Sequence, residues 1–288
     1  MLRSLYSGVS GMRSFQTKMD VISNNIANVN TTGFKAGRVK FQDMLSQTIS
    51  SAQGTSSTGL GGVNSQQIGL GVRVGAIDTI MTGGAMQPTN RDLDFAIEGE
   101  GFFALSTDIV GNNKVYSRDG TFFRDNQGNL VNGSGLRVLG YKPTSSGSST
   151  LNTTVLVPLT IPNKHPIISS IELESYHIDG SGIITGVYEG GITYVLGQIG
   201  TVRFDNPEGL EKNGGNNYKQ TNNSGTADLG VSGENGFGTI RQGYLEMSNV
   251  DLANEFTEMI VTSRAYQANS RSITTSDEML QELINLKR

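Results

Sequence analysis

The sequence contains no cysteine and only two histidines, His165 and His177, in 288 residues. Without cysteine there is no disulfide, no thiolate metal site and no cysteine nucleophile. The compartment stays open, because an exported chain can also do without thiols. Neither histidine has a second His or a Cys at ligand spacing, so both are expected in ordinary surface or turn positions rather than at a metal. No apolar run is long enough to cross a bilayer. The opening Met1-Leu-Arg-Ser-Leu-Tyr-Ser-Gly-Val-Ser10 lacks the continuous apolar stretch of a cleavable secretory signal. A formal net charge of −4 and a pI near 5.3 leave no basic footprint for nucleic acid.

Motifs that could carry chemistry are incomplete. No nucleophile-elbow motif supports a hydrolytic triad. Glu98-Gly-Glu-Gly101 resembles a phosphate loop but lacks the Gly-Lys-Ser/Thr ending and a following helix, which predicts a turn between strands. Asp125-Asn-Gln-Gly128 and Asp179-Gly-Ser-Gly182 carry Ca²⁺-type ligands without the terminal Glu of a full loop, so hairpin turns are predicted there. The expectation is a chain with no catalytic residue, no cofactor and no metal.

Proline and glycine are unevenly placed. All 6 Pro lie between Pro88 and Pro207, and 36 of the 38 Gly lie between Gly33 and Gly243. The final segment, Ser248 to Arg288, has neither. Its run after Asp251 allows roughly 50 Å of helix at 1.5 Å per residue. Leu252, Phe256, Met259, Tyr266, Ile273, Leu280 and Ile284, with Ser263, Ser270 and Asp277 in the intervening seam positions, recur at steps of four and three, a heptad-like stripe. At the other end Leu2, Leu5, Val9, Met12, Met19, Ile22, Ile26 and Val29 repeat with nearly the same steps, and a three-residue step at Ile22 reads as a stammer. Apolar residues off the stripes, such as Phe15, Val21, Val261, Met279, Leu283 and Leu286, exceed what two helices can cover on each other. Other copies of the chain are expected to cover them.

The first helix is expected over 1–30, ending in the turn residues Asn28-Val-Asn-Thr-Thr-Gly33. Ser50 to Gln67, rich in Ser, Gly and Thr, suggests flexible or irregular structure rather than a packed element. From Ile68 the pattern is β: Val72–Ile80, Leu93–Ile97, Phe102–Leu105, Val155–Ile161, Ile167–Leu173, Ile183–Val187, Thr193–Leu196 and Gly200–Phe204 are strand candidates. Asp119-Gly120, between Val115-Tyr-Ser-Arg and Thr121-Phe-Phe-Arg, predicts a hairpin. The fold class is α+β: a discontinuous helical coiled-coil domain from both termini (1–32 and 248–288), connecting segments at 33–75 and 235–247, and a mainly-β, turn-rich body over 76–234. A polymer subunit fits this better than a secreted β-rich enzyme with oligomerising ends, because the apolar stripes are confined to the termini and no catalytic constellation is present.

The strings themselves carry a resemblance. Ile22-Ser-Asn-Asn-Ile-Ala-Asn-Val-Asn-Thr-Thr-Gly-Phe-Lys35 resembles the N-terminal signature of bacterial flagellar rod and hook proteins. Gly243-Tyr-Leu-Glu-Met-Ser-Asn-Val-Asp-Leu252 and Asp277-Glu-Met-Leu-Gln-Glu-Leu283 resemble the C-terminal one, and Ile97–Phe103 and Asn206-Pro-Glu-Gly-Leu210 the internal motifs. The resemblance implies a non-enzymatic axial protein of the flagellum. Such a protein would leave the cell unfolded through the flagellar type III export apparatus with an uncleaved signal. It would polymerise into a hollow helical tube and meet other axial proteins (rod, hook cap, hook–filament junction), without nucleic acid or membrane insertion. Met1–Met12 together with Glu255–Ile260 most resembles the compact hook members of Gram-positive bacteria. Ser46 to Gly71 lacks the Pro and charges usual in the rod version. Both features point to a curved hook acting as a universal joint; the alternative is the distal rod, a straight drive shaft. The self-assembly residues on this reading are Leu5, Val9, Met12, Met19, Ile26, Val29, Leu252, Phe256, Met259, Tyr266, Ile273, Leu280, Leu283 and Ile284.

Overall fold

In a computed structural model of the chain, residues 2–54, 61–108, 111–143, 151–152, 155–165 and 171–286 are described. They fall into two compact units: a helical unit of 1–27, 37–80 and 251–288, and a β unit of 28–36 and 81–250. The chain passes from one to the other four times, after residues 27, 36, 80 and 250.

The helical unit pairs helix α1 (Leu2–Ala27) with helix α2 (Leu252–Leu286). The 35 residues of α2 hold no helix breaker, and Asp251 caps its start: the Ala253 N–H donates to Asp251 Oδ1 at 2.9 Å. α1 stops at Ala27, three residues short of the expected end, because Asn28 and Thr31 close a turn (Thr31 N–H to Asn28 O, 3.1 Å). Strand β1 (Gly37–Asp43) runs antiparallel to β4 (Val72–Thr79). Between them β2 (Ser46–Ser50) and β3 (Gln66–Gly69) form an exposed two-stranded ribbon, extended by a bridge between Gln53 and Val63. The described residues of Ser50–Gln67 form no packed element: 51–54 and 61–65 are exposed and outside strands apart from the Gln53–Val63 bridge, and the ribbon strands reach only the ends of the stretch. Alternation of small and polar residues suffices for a ladder even where nothing is buried; 55–60 lie outside the described residues.

The β unit is built on one large sheet, thirteen strands among the described residues. Its path runs through β13 (Leu173–Ile178), β14 (Ile183–Tyr188), β15 (Ile192–Ile199), β11 (Arg137–Tyr141), β7 (Phe102–Ser106), β8 (Lys114–Ser117), β18 (Asn217–Lys219) and β17 (Glu211–Gly214). The strand at its centre explains the near-continuous apolar run in the sequence. Phe103 and Leu105 of β7 enter one buried cluster with Phe95, Phe122, Leu130 and Val138, while Phe102 and Ala104 enter another with Tyr116, Tyr141 and Phe204. Successive side chains point to opposite faces, so a strand covered on both sides must be apolar throughout. Two smaller antiparallel pairs complete the unit, β6 (Phe95–Glu98) with β20 (Thr239–Gln242) and β5 (Met86–Pro88) with β21 (Tyr244–Glu246).

The expected hairpin at Asp119-Gly120 is absent. β8 pairs with β7 and β18, whereas the following strand β9 (Phe122–Arg124) pairs with β10 (Leu130–Asn132). Gly120 is needed for close approach instead: a Cβ there would lie 1.8 Å from Phe95 O. Asp125–Gly128 and Asp179–Gly182 do form the predicted turns, each closed by a Gly N–H to Asp O bond (2.8 and 2.7 Å). The strand candidate Val155–Ile161 shrinks to β12 (Val157–Pro158), and most of Ile167–Leu173 lies outside the described residues. His165 is not on the surface. It is buried edge-on against the rings of Tyr188 and Tyr194, at 4.8 and 5.1 Å between centroids, while His177 is exposed.

Candidate assembly interface

The terminal helices meet through small residues. α1 runs antiparallel to α2, with Gly8 against Ile273 and Gly11 against Asn269; a Cβ on either glycine would come to 3.0 Å of its neighbour. Ser14 of α1 and Thr262 and Ser276 of α2 are buried in the same unit. Glycine at a helix contact lets the backbones approach. The aliphatics chosen from the sequence are placed differently. Leu5, Val9, Met12, Met19, Ile26, Met259, Ile273 and Leu280 are half-buried. Leu252, Phe256, Tyr266, Leu283 and Ile284 are exposed, Phe256 by 50% and Ile284 by 67%. Val29 lies beyond the end of α1, in the turn, and so has no place on a helix face.

Polar residues that the periodicity did not single out fasten this unit. Asn25, 1% exposed, exchanges two hydrogen bonds with the backbone of Gly37: its Nδ2 donates to Gly37 O (2.8 Å) and the Gly37 N–H donates to its Oδ1 (2.9 Å). Its Nδ2 also reaches Glu255 Oε1 at 3.1 Å, so one amide ties α1, β1 and α2. Burial pushes the Glu255 carboxyl above its usual range, against the Asn25 bond. Lys18 pairs with Glu258 at 2.5 Å further along.

The two signature strings meet inside the β unit. Gly33 takes a positive φ of 67° and packs its α-carbon on the Arg118–Asp119 backbone, where a Cβ would lie 2.7 Å from Asp119 N. Its N–H donates to Glu246 O at 2.8 Å. Thr32 donates to Asp119 Oδ1 (3.0 Å), the Ala36 N–H to Asn249 Oδ1 (2.8 Å) and Lys212 Nζ to Lys35 O (3.1 Å). Beneath this sits a buried ionic cluster. Lys35 Nζ donates to Glu246 Oε1 (2.5 Å) and Thr82 O (2.8 Å), and the Gly84 N–H donates to the same Oε1 (3.0 Å). Arg118 donates to Glu246 Oε2 (3.1 Å) and to Gly99 O (2.8 Å), with its guanidinium 5.3 Å from the Phe102 ring centre. The Lys35, Glu246 and Arg118 side chains are 0%, 1% and 5% exposed. Burial pulls the Lys35 ammonium below its usual range, opposed by Glu246. One carboxylate facing two cations, with each oxygen bonded, is the arrangement in which a buried charge is tolerated.

Among the described residues no group of His, Cys, Asp or Glu could hold a metal ion. Nor, among those residues, is any helix long and apolar enough to cross a membrane.

Family profiles match three stretches of the chain. They are "Flagella basal body rod protein" over 5–35, "Flagellar hook protein FlgE/F/G D1 domain" over 96–186 and "Flagellar basal body rod FlgEFG protein C-terminal" over 241–286. Against the Bacillus subtilis flagellar basal-body rod protein FlgG the chain is 49% identical over 289 residues, covering 100% of both. The chain belongs to the flagellar rod and hook protein family. As a flagellar axial protein it also aligns with the hook protein FlgE of Borreliella burgdorferi, 32% identical with 100% of both chains covered, but over 445 positions. The rod protein FlgG of the same organism is 38% identical over 288 residues. These relatives locate the chain in the flagellum. The preference for the hook drawn from the sequence is not upheld, since the rod proteins match it more closely and at its own length. The fold resembles the crystal structure of Helicobacter pylori flagellar hook protein FlgE2 only loosely, with a TM-score of 0.24, 16% identity, and 64% of this chain and 47% of that one covered.

Proposed function

We propose that the chain is a structural subunit of the distal flagellar rod, the straight shaft that carries torque outward. The full-length correspondence with rod proteins, without the long insertions that separate this chain from hook proteins, supports this most directly. The geometry suits a polymer subunit. A helix pair whose large aliphatics stay exposed, Phe256, Ile260, Val261, Leu283 and Ile284 among them, leaves apolar surface that only further copies of the helices cover. In this reading α1 and α2 form the close-packed, coiled-coil-like inner wall of a hollow tube, the β unit faces outward, and 37–80 joins the two layers. The chain travels unfolded through the flagellar type III export apparatus, keeps its N-terminus, and joins neighbouring axial proteins end to end. No catalytic role is assigned.

The hook remains a second reading because Ser46 to Gly71 lacks proline and carries no charge. An epitope placed at the exposed ribbon and located by electron microscopy separates the two. Label on a straight segment within the envelope supports the rod; label on a curved segment outside it supports the hook.

A further inference from the structure

α2 outruns its partner. With Gly8 opposite Ile273 in an antiparallel pair, the first residues of α1 lie across from about Leu280. The last helical turns, through Leu286, therefore have no α1 residue across from them. They are also the most apolar exposed part of the helix: Met279, Leu283 and Leu286 follow at i, i+4 and i+7, and Glu278 and Glu282 form an acidic stripe one position ahead.

A groove in the same unit has the complementary character. It encloses about 450 Å³ between one face of α1 (Tyr6, Val9, Arg13) and the chain entering β4 (Leu70, Val72, Arg73). Its walls are mainly apolar, with the hydroxyls of Ser10, Ser14 and Thr17 on the α1 side, and its charged residues are the two arginines, both exposed. Arg73 donates to Gln42 Oε1 at 3.1 Å, and neither arginine has an ion pair among the described residues. Asp43 does not line this groove; it lines an adjoining cavity that shares Met44, Leu70 and Arg73 with it.

We propose that the C-terminal end of α2 from one copy seats in this groove of a neighbouring copy, with Leu283 and its stripe against Val9, Leu70 and Val72 and with Glu278 and Glu282 facing Arg13 and Arg73. The inference rests on the polymer reading above. The occupant comes from another copy because a chain's own α2 runs away from its groove: it passes Gly11, then Gly8, and leaves beyond the start of α1. The apolar stripe supplies the area, and the four charges set the register and reject a reversed helix.

The absence of cysteine makes a direct test clean. Full-length copies bearing only Met44→Cys are mixed with copies bearing only Leu283→Cys, concentrated until they polymerise, and mildly oxidised. Both positions are exposed, so neither change disturbs the fold. The expected product is a covalent dimer joined between residues 44 and 283, absent when Leu283→Cys is replaced by Phe256→Cys. In parallel, Arg13→Glu with Arg73→Glu lowers polymer yield by about tenfold or more, a cost above about 1.4 kcal/mol. Adding Glu278→Arg and Glu282→Arg restores it. Tubes that form without the 44–283 bond, or a charge reversal that fails to rescue, overturn the groove assignment and leave the polymer reading standing. Failure of the unaltered chain to polymerise removes both.

Discussion

The two units dispose of their side chains in opposite ways. The β unit buries charge, with Lys35, Arg118 and Glu246 inside, and surrounds it with fully covered aliphatic and aromatic clusters. The helical unit buries Gly8, Gly11, Ser14, Asn25, Thr262 and Ser276 with a single large aliphatic, Ile22, among its described helix residues, and leaves Leu252, Phe256, Ile260, Leu283 and Ile284 exposed. The first pattern is that of a body complete in itself. The second is that of a part whose apolar surface is matched to something beyond one chain. Burial, more than secondary structure, sets the two units apart.

The strongest way to break this contrast is to shorten α2. Deleting Leu280–Arg288 should abolish polymerisation outright, as judged by sedimentation, while the near-ultraviolet circular dichroism of the buried tyrosines of the β unit stays unchanged. Normal tubes from the truncated chain would refute the division of labour. Next in size is Glu246→Ala, which leaves two buried cations facing each other. It should lower the stability of the β unit by about 3–5 kcal/mol in urea denaturation. An unaltered midpoint would mean that the cluster is solvated after all.

Limited proteolysis of the dilute monomer sharpens the boundary. Cuts should concentrate in 2–27, 37–80 and 251–286 and spare the sheet over 81–250, because isolated helices gain most of their stability from packing. Equal resistance across the chain would argue that the helix pair is self-sufficient. The smallest effect is a pH dependence in the β unit. Burial pushes the Tyr218 phenol up to about 12, from about 10 in the unfolded chain. A raised folded value means stability that is complete below pH 10 and lost as pH rises through about 12, by about 2–3 kcal/mol in all. Tyr218→Phe should flatten the denaturation midpoint across that window, and an unchanged slope would assign the loss to another group.

Much of this was legible in the residues. Thirty-five positions without glycine or proline announced α2, and the Asp–Gly turns at 125–128 and 179–182 announced two hairpins. The family was legible from its strings. What escaped was what depends on long-range geometry. Asp119-Gly120 has the local chemistry of a hairpin turn, but its glycine answers to Phe95, brought there by the sheet. A search for apolar stripes passes over Gly8, Gly11 and Asn25, because a close helix contact selects for small size and a junction selects for an amide with both donor and acceptor. Lys35 and Glu246 give no local sign of burial, since each is ordinary until the other arrives. The hook preference rests on the terminal strings Met1–Met12 and Glu255–Ile260 and on Ser46–Gly71, and the composition of the latter reflects an exposed ribbon and says little about the rest of the chain.

The bond between Lys35 and Glu246 spans 211 residues of sequence. Contacts of such separation close late, because the loop entropy must be met before they contribute. A chain emerging from its N-terminus therefore holds Lys35 unmatched until residue 246 of its 288 has appeared, and α1 finds the Ile273 turn of α2 later still. Whatever is fed forward as a thread stays one at its leading end until its trailing end is free, so folding is timed by completion and not by arrival.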